Sequence, residues 1–183
     1  MTVAGSRIAT VSGVDSAAAQ ALFATAIAQW RGAGLMVAAV LAETLTPTES
    51  ICSADYLRDV GSGVAYSIHL DTPPRDTTCH LDARGVEAAC AALLPQLDNC
   101  DLVVLSKFGK LESMGGGLFP AFAAARAAGL PILTTVSAKH EDAWRRFAPE
   151  AVTLPANAET LRNWWQALGY SHSIVPGGFE VTS

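Results

Sequence analysis

One loop of the sequence combines lysines, a carboxylate and a run of glycines, and this combination suits the binding of an anion. The chain has three lysines, and two of them, Lys107 and Lys110, lie within one tetrapeptide. Glu112 follows, and three consecutive glycines at positions 115–117 stand just before a predicted helix. Positive side chains, accessible backbone N–H groups and the N-terminus of a helix together favour an anion. The alternative is a solvated turn whose lysines only increase solubility.

A second candidate loop lies between the first predicted strand and the first predicted helix, where a phosphate-binding loop would be. Such a loop needs glycines for close backbone approach, a lysine for charge and a hydroxyl for magnesium. Here Gly13 is the single glycine, no lysine is present, and the carboxylate of Asp15 would repel a phosphate. Ser12 and Ser16 can still donate their hydroxyls. The alternative is that Ser12 or Asp15 simply caps the helix.

Two other groups of side chains point more weakly to chemistry. Lys139 and His140 stand beside two carboxylates, which is more typical of a charged surface than of a general base. Cys79 and His80 are adjacent and Cys52 precedes them, but the closely spaced ligand pair of a structural zinc site is missing. The sequence therefore predicts no metal site.

Composition excludes several classes of partner. The 183 residues carry 16% charged side chains and a net charge of −5. The composition supplies no basic face that could bind the phosphate backbone of a nucleic acid, so we expect no binding to nucleic acid. The apolar stretches are shorter than the roughly 20 residues of a membrane-spanning helix, and the first residues lack a signal-peptide pattern. We expect a cytoplasmic protein without membrane contact. The length predicts one domain over residues 1–168 and a loosely held tail at residues 169–183.

Strand-like and helix-like segments alternate along the chain. Short apolar runs predict strands at residues 7–12, 35–41, 101–106, 131–136 and 151–154. Helical segments are predicted at residues 15–30, 82–97, 118–128, 141–147 and 157–168. The predicted caps are Asp15 or Ser16, Asp82, and Asn157 or Glu159, and Pro95 should end or kink the second helix. Two short strands around Gly61-Ser62-Gly63 predict an antiparallel hairpin at residues 56–70. These patterns predict a three-layer α/β fold, in which a mainly parallel sheet with helices on both faces carries an antiparallel β-hairpin insertion.

A sheet of this kind binds its ligands outside the carboxyl ends of the strands. Both candidate loops follow predicted strands, so the sequence places them at this edge. The predicted ligand-binding residues are Ser12, Gly13, Asp15, Ser16, Lys107, Lys110, Glu112, Gly115, Gly116 and Gly117.

The order of these motifs resembles a bacterial domain-of-unknown-function family that is often met beside molybdenum-transport and nitrogenase-type genes. The resembling motifs are Cys-x-Leu-Asp at residues 79–82 and Phe-Gly-Lys-x-Glu at residues 108–112. More distantly, the chain is similar to the small, thermophile-type P-loop nucleoside-triphosphatases. In those proteins a strand followed by Gly-Lys-x-Glu occupies the place of residues 101–112. The resemblance covers about residues 7–155.

This resemblance implies a P-loop-like fold with degenerate nucleotide motifs. The Gly-Lys-Thr of the P-loop would fall near residues 15–17, where Ser16 stands in place of the lysine and Ala17 in place of the magnesium-binding hydroxyl. The acid that normally follows the later strand would fall at Ser106 and Lys107. Metal-assisted phosphoryl transfer would therefore lack its main electrostatic contributions.

The sequence favours a protein that binds a small anion or a phosphate-bearing ligand, and the resemblance adds molybdate or a pterin phosphate as candidates. No resident cofactor is predicted, although a nucleotide with magnesium, or molybdate, stays open as a ligand. One alternative is a nucleoside-triphosphatase or phosphotransferase in which Lys107 replaces the missing lysine and Glu112 or Asp15 holds magnesium. Another is a non-catalytic partner protein that forms a homodimer through the hairpin edge.

Overall fold

The computed structural model describes residues 5–44, 54–72, 75 and 81–170 of the chain. Cys52, Cys79, His80 and the tail from residue 171 lie outside the described residues. The expectations for these positions therefore stay predictions.

Seven strands form one sheet in the described part of the chain. They are β1 Ile8–Ser12, β2 Val37–Glu43, β3 Tyr56–Asp59, β4 Ala65–Ser67, β5 Leu102–Leu105, β6 Ile132–Thr134 and β7 Val152–Pro155. Their order across the sheet is β4-β3-β2-β5-β6-β1-β7. The five strands from β2 to β7 in this order run parallel, whereas β3 pairs antiparallel with both β2 and β4. The predicted parallel sheet and its antiparallel hairpin are confirmed, and the layout is consistent with that of P-loop nucleoside-triphosphatases.

Helices cover both faces of this sheet. In the described chain they are α1 Ser16–Gly32, α2 Ala83–Leu93, α3 Lys110–Ser113, α4 Phe119–Ala127, α5 Glu141–Phe147 and α6 Ala158–Ala167. Helices α1 and α6 bury Phe23 and Trp164 against one face, while α2, α4 and α5 bury residues such as Phe122 against the other. Val104 and Leu105 on β5 point to opposite faces and are both fully buried. This explains why the central strands are apolar at every position.

Three side chains cap the helices, and each is among the residues that the sequence offers for that role. Asp15, Asp82 and Asn157 are the N-cap residues of α1, α2 and α6, and each accepts a hydrogen bond from a backbone N–H two or three residues later. Such caps satisfy donors that the first helical turn leaves without a partner. They fix where each helix leaves the carboxyl edge of the sheet.

Several boundaries differ from the prediction, while Pro95 ends α2 as expected. Helix α2 ends at Leu93 and continues as a 3₁₀ turn, Leu94–Asn99, because Pro95 cannot continue the α-helical hydrogen bonding. The loop predicted at residues 107–117 contains the one-turn helix α3. Tyr170, which was assigned to the tail, stacks on Trp165 with a ring-centroid distance of 4.6 Å.

Candidate anion-binding site

The strand order creates a crevice at the carboxyl edge of the sheet beside β1. The chain leaves β1 and β7 towards helices on the α1 and α6 face, and leaves β5 and β6 towards helices on the opposite face. Loops that diverge from neighbouring strands in this way leave a crevice where open α/β sheets bind ligands. The first loop, residues 12–16, directly follows β1 and therefore lies at this edge of the sheet, where the sequence predicts it.

The first loop presents a run of backbone donors. Gly13 has a φ of 89°, which turns the chain from β1 into α1. The Asp15 carboxylate accepts from the N–H of Ala18 at 2.8 Å. Within the described residues, no acceptor receives a hydrogen bond from the backbone N–H groups of residues 13–17. These N–H groups enter a 17-residue helix, whose dipole adds positive potential at the same end.

A cleft of about 490 Å³ adjoins this loop. It is lined by Ser12, Gly13, Val14, Thr153, Pro155, Ala156 and Asn157. Because Asp15 caps α1 and Asn157 caps α6, the N-termini of two helices border the cleft. Asn157 directs its side-chain oxygen to the N–H of Thr160. The sequence analysis did not identify the contribution of β7 and α6, because nothing in the sequence indicates that β7 lies beside β1.

Below the first turn of α1, a buried glutamine joins the ends of two strands. Gln20 is 8% exposed; its amide donates to the carbonyl of Ser106 at 3.0 Å and accepts from the N–H of Ala42 at 2.8 Å. The Thr135 hydroxyl also donates to the Ser106 carbonyl, at 2.9 Å. Sequence reasoning missed Gln20 and Thr135. A polar residue amid the alanines of α1 was the available signal, and it did not reveal a partner 86 residues away.

A paired carboxylate ends strand β2. Arg58 donates to both oxygens of Glu43, at 2.6 and 2.9 Å. These hydrogen bonds, together with the negative charge of Glu43, raise the pKa of Arg58. Because the guanidinium already engages Glu43, the carboxylate is a poor candidate for a metal ligand.

The second predicted loop is organised around Glu112, which is 7% exposed. Its two oxygens accept from the N–H of Gly109 and from the N–H of Leu118, both at 2.9 Å. The N–H groups of Gly115 and Gly116 donate to backbone carbonyls within the loop. The chain therefore supplies its own anion at the start of α4, and Gly117 leaves room for it, since a Cβ there would overlap a Glu112 oxygen.

The two lysines of this loop remain exposed. Neither Lys107 nor Lys110 pairs with a carboxylate anywhere in the described chain. Strand β5, which precedes them, is separated from β1 by β6 alone. Two strand spacings amount to about 10 Å, so the lysines stand at the same edge of the sheet as the first loop and its N–H groups.

The carboxylates next to His140 have the surroundings of surface residues, and the thiol of Cys90 has those of a core residue. Glu141 and Asp142 both pair with Arg145 on α5. Cys90 is buried on α2, and burial raises the pKa of its thiol. Among the described residues, no group of three or more His, Cys, Asp or Glu side chains is arranged to hold a metal ion.

A second groove, lined in part by aromatic side chains, lies between α1 and α6, away from the strand ends. It has a volume of about 460 Å³, and its walls include Trp30, Trp165 and Tyr170. An apolar lining of this kind does not suit a small anion. In the described part of the chain, no helix combines the length and hydrophobicity needed to span a membrane.

Comparison with known proteins gives a family and one partial relative. A family model described as a protein of unknown function, DUF2478, matches residues 8–164. The molybdenum import ATP-binding protein ModC 2 of Bradyrhizobium diazoefficiens is 38% identical over 90 residues, which are 48% of this chain and 10% of the relative. The match thus spans about a tenth of the relative's length. No solved structure matches the chain.

Proposed function

The chain belongs to the DUF2478 family, a family of unknown function, and from this premise we propose that it binds a small anion or a phosphate-bearing ligand. The proposed site is the first loop at the carboxyl edge of the sheet. The observation that carries the proposal is the run of backbone N–H groups at residues 13–17, which have no acceptor in the described chain. Successive N–H groups at a helix N-terminus are an established way of binding anions in proteins.

Charge and hydroxyl groups support the same ligand class. Ser12 and Ser16 lie at the two ends of the loop and are exposed. Lys107 and Lys110 add positive charge at the same edge of the sheet, where no carboxylate in the described residues neutralises them. In this proposal Glu112 and the glycines Gly115–Gly117 shape the lysine loop, while the first loop contacts the ligand.

The partial relative suggests which anions to test first. Its name identifies a molybdenum import protein that binds ATP. Molybdate is a tetrahedral oxyanion of the same shape and charge class as phosphate and sulfate, so a site built from N–H and hydroxyl donors suits all three. The proposal therefore extends to a role in molybdenum metabolism, and a pterin phosphate is the larger ligand to test.

Calorimetric titration tests the proposal with molybdate, inorganic phosphate, nucleotides and a pterin phosphate as separate ligands. We expect at least one of these anions to bind, and binding to weaken several-fold in Lys107→Ala and Lys110→Ala because each variant removes one unpaired charge. Arg146→Ala is the matched control, since it removes an exposed cation in the last turn of α5 rather than at the strand ends. The absence of binding by every ligand would refute the proposal.

A nucleoside-triphosphatase is the second candidate, because the printed name of the relative includes ATP binding. In this version Lys107 substitutes for the missing phosphate-loop lysine. A phosphate-release assay over several nucleoside triphosphates separates the two candidates. Turnover that Lys107→Ala abolishes would favour the enzyme, whereas binding without turnover would favour the anion-binding protein.

A further inference from the structure

Ser106 is a buried polar residue that directly follows β5. Ser106 is 4% exposed, and its hydroxyl forms no hydrogen bond with the described residues. Its carbonyl, by contrast, accepts from both Gln20 and Thr135. Buried hydroxyls ordinarily have a partner, so the unpartnered hydroxyl of Ser106 is an exception among the buried side chains.

The fold indicates which way this hydroxyl faces. Side chains two residues apart on a strand share a face, and Val104 packs in the core on the α1 side of the sheet. Every side-chain nitrogen or oxygen that is completely enclosed in the described chain has a partner. The Ser106 oxygen has none, so it is not completely enclosed, and by this alternation it faces the side of the sheet that α1 covers.

The start of α1 is linked to Ser106 through Gln20. Gln20 touches Ser106, and Ser16 stands four residues before Gln20 on the same helix face. One helical turn is about 5.4 Å. A tetrahedral oxyanion that accepts hydrogen bonds at both ends spans a gap of about one helical turn, as the contact proposed below requires between the N–H groups of residues 16 and 17 and the Ser106 hydroxyl.

We propose that Ser106 donates a hydrogen bond to the anion bound at the first loop, and that the site holds a tetrahedral oxyanion through donor groups without a divalent cation. This inference rests on the proposed function. The nearby carboxylates already have partners: Glu43 pairs with Arg58, and Asp15 caps α1. The groups left to meet a ligand, namely backbone N–H, hydroxyl and lysine, can all donate hydrogen bonds, and none of them is a carboxylate.

The experiment is calorimetry on the full chain with inorganic phosphate, sulfate and molybdate, each in EDTA and again with Mg²⁺. We expect wild-type affinity to be the same in both solutions. Ser106→Ala should weaken binding about tenfold or more, since a hydrogen bond to a charged group is lost, while its melting temperature stays unchanged because no internal hydrogen bond is removed. Ser106→Asp should abolish binding in EDTA, since a carboxylate repels the anion.

Thr134→Val is the matched control. Thr134 is also buried at a strand end, but its hydroxyl already donates to the carbonyl of Thr135. This variant should lower the melting temperature and leave anion affinity unchanged. Binding that requires Mg²⁺, or Ser106→Ala that binds like wild type, would overturn the inference while leaving the proposed function intact.

Backbone amide NMR provides a measurement that does not depend on variants. Adding phosphate to the wild-type protein in EDTA should shift the signals of Gly13, Ala17 and Ser106 together. Shifts at Gly13 and Ala17 with an unmoved Ser106 would contradict the role of Ser106 alone. No saturable binding of any of the three anions would contradict the proposed function, and the inference would fall with it.

Discussion

The carboxylate of Glu112 accepts a hydrogen bond from the N–H of Leu118 across six residues, at 2.9 Å. Its other oxygen accepts from the N–H of Gly109. This single side chain thus links the start of α3 to the start of α4 and closes the lysine loop from within. The loop has the sequence features of an anion-binding loop, and the anion that its N–H groups bind is the Glu112 carboxylate of the same chain.

Glu112→Gln should lower the free energy of unfolding by about 1–3 kcal/mol. An amide keeps one acceptor oxygen but places an NH₂ group opposite the second backbone N–H, which is left buried and unsatisfied. Urea unfolding measures the change. Glu87→Gln, at an exposed position on α2, is the control and should stay within about 0.5 kcal/mol of wild type.

Gly117→Ala should destabilise the protein by at least about 2 kcal/mol. Gly117 has a φ of 59°, and a Cβ at this position would overlap a Glu112 oxygen and lie 2.8 Å from the Cβ of Leu111. Gly115→Ala shares the positive φ but meets nothing within 4 Å, so only backbone strain of about 1 kcal/mol is expected. Equal unfolding midpoints for the two variants would show that the Glu112 contact does not shape this loop.

Sequence reasoning predicted the parts of the fold that depend on local chemistry. The cap residues Asp15 and Asp82 and the glycine-centred hairpin each carry their signal within a few residues, and hydrophobic periodicity fixes the helices and strands. The partners of Gln20, Glu112 and Ser106 depend instead on which strands become neighbours. Hydrophobic periodicity does not determine the order of the strands in the sheet. The position of the candidate loops could therefore be predicted, whereas the acceptors that bind their backbone N–H groups could not.

Asp15→Asn should increase anion affinity several-fold at low salt. The carboxylate stands beside the N–H groups of residues 13–17, so its removal lowers the repulsion of an incoming anion. Asparagine caps helices as well as aspartate does, so stability should change by only a few tenths of a kcal/mol. Asp15→Ala is the comparison, which removes the same charge but also the cap, at a cost of about 1 kcal/mol. Affinity that falls in Asp15→Asn would place the anion elsewhere.

Gln20→Leu should lower the free energy of unfolding by about 2–3 kcal/mol, because two hydrogen bonds disappear and the N–H of Ala42 loses its acceptor. Gln29 lies on the exposed side of the same helix. Gln29→Leu is therefore the control, because it makes the same chemical change without removing the hydrogen bonds that Gln20 forms. Denaturant unfolding of both variants gives the comparison. If the two variants have the same stability, Gln20 does not join the strand ends in solution.

Alkaline pH should destabilise the protein partly through Cys90. Burial raises the pKa of this thiol in the folded chain above the 9.0 of an exposed thiol. The folded state therefore holds the proton more tightly, so this contribution to stability is complete below pH 9.0 and is lost as pH rises towards the folded pKa. Urea unfolding between about pH 8 and pH 10.5 should show stability falling with pH.

Cys90→Ala is less stable at neutral pH because it leaves a small cavity, but its stability should fall less steeply with pH. Identical slopes in the two proteins would show that the Cys90 thiol ionises in the folded state as readily as in the unfolded chain.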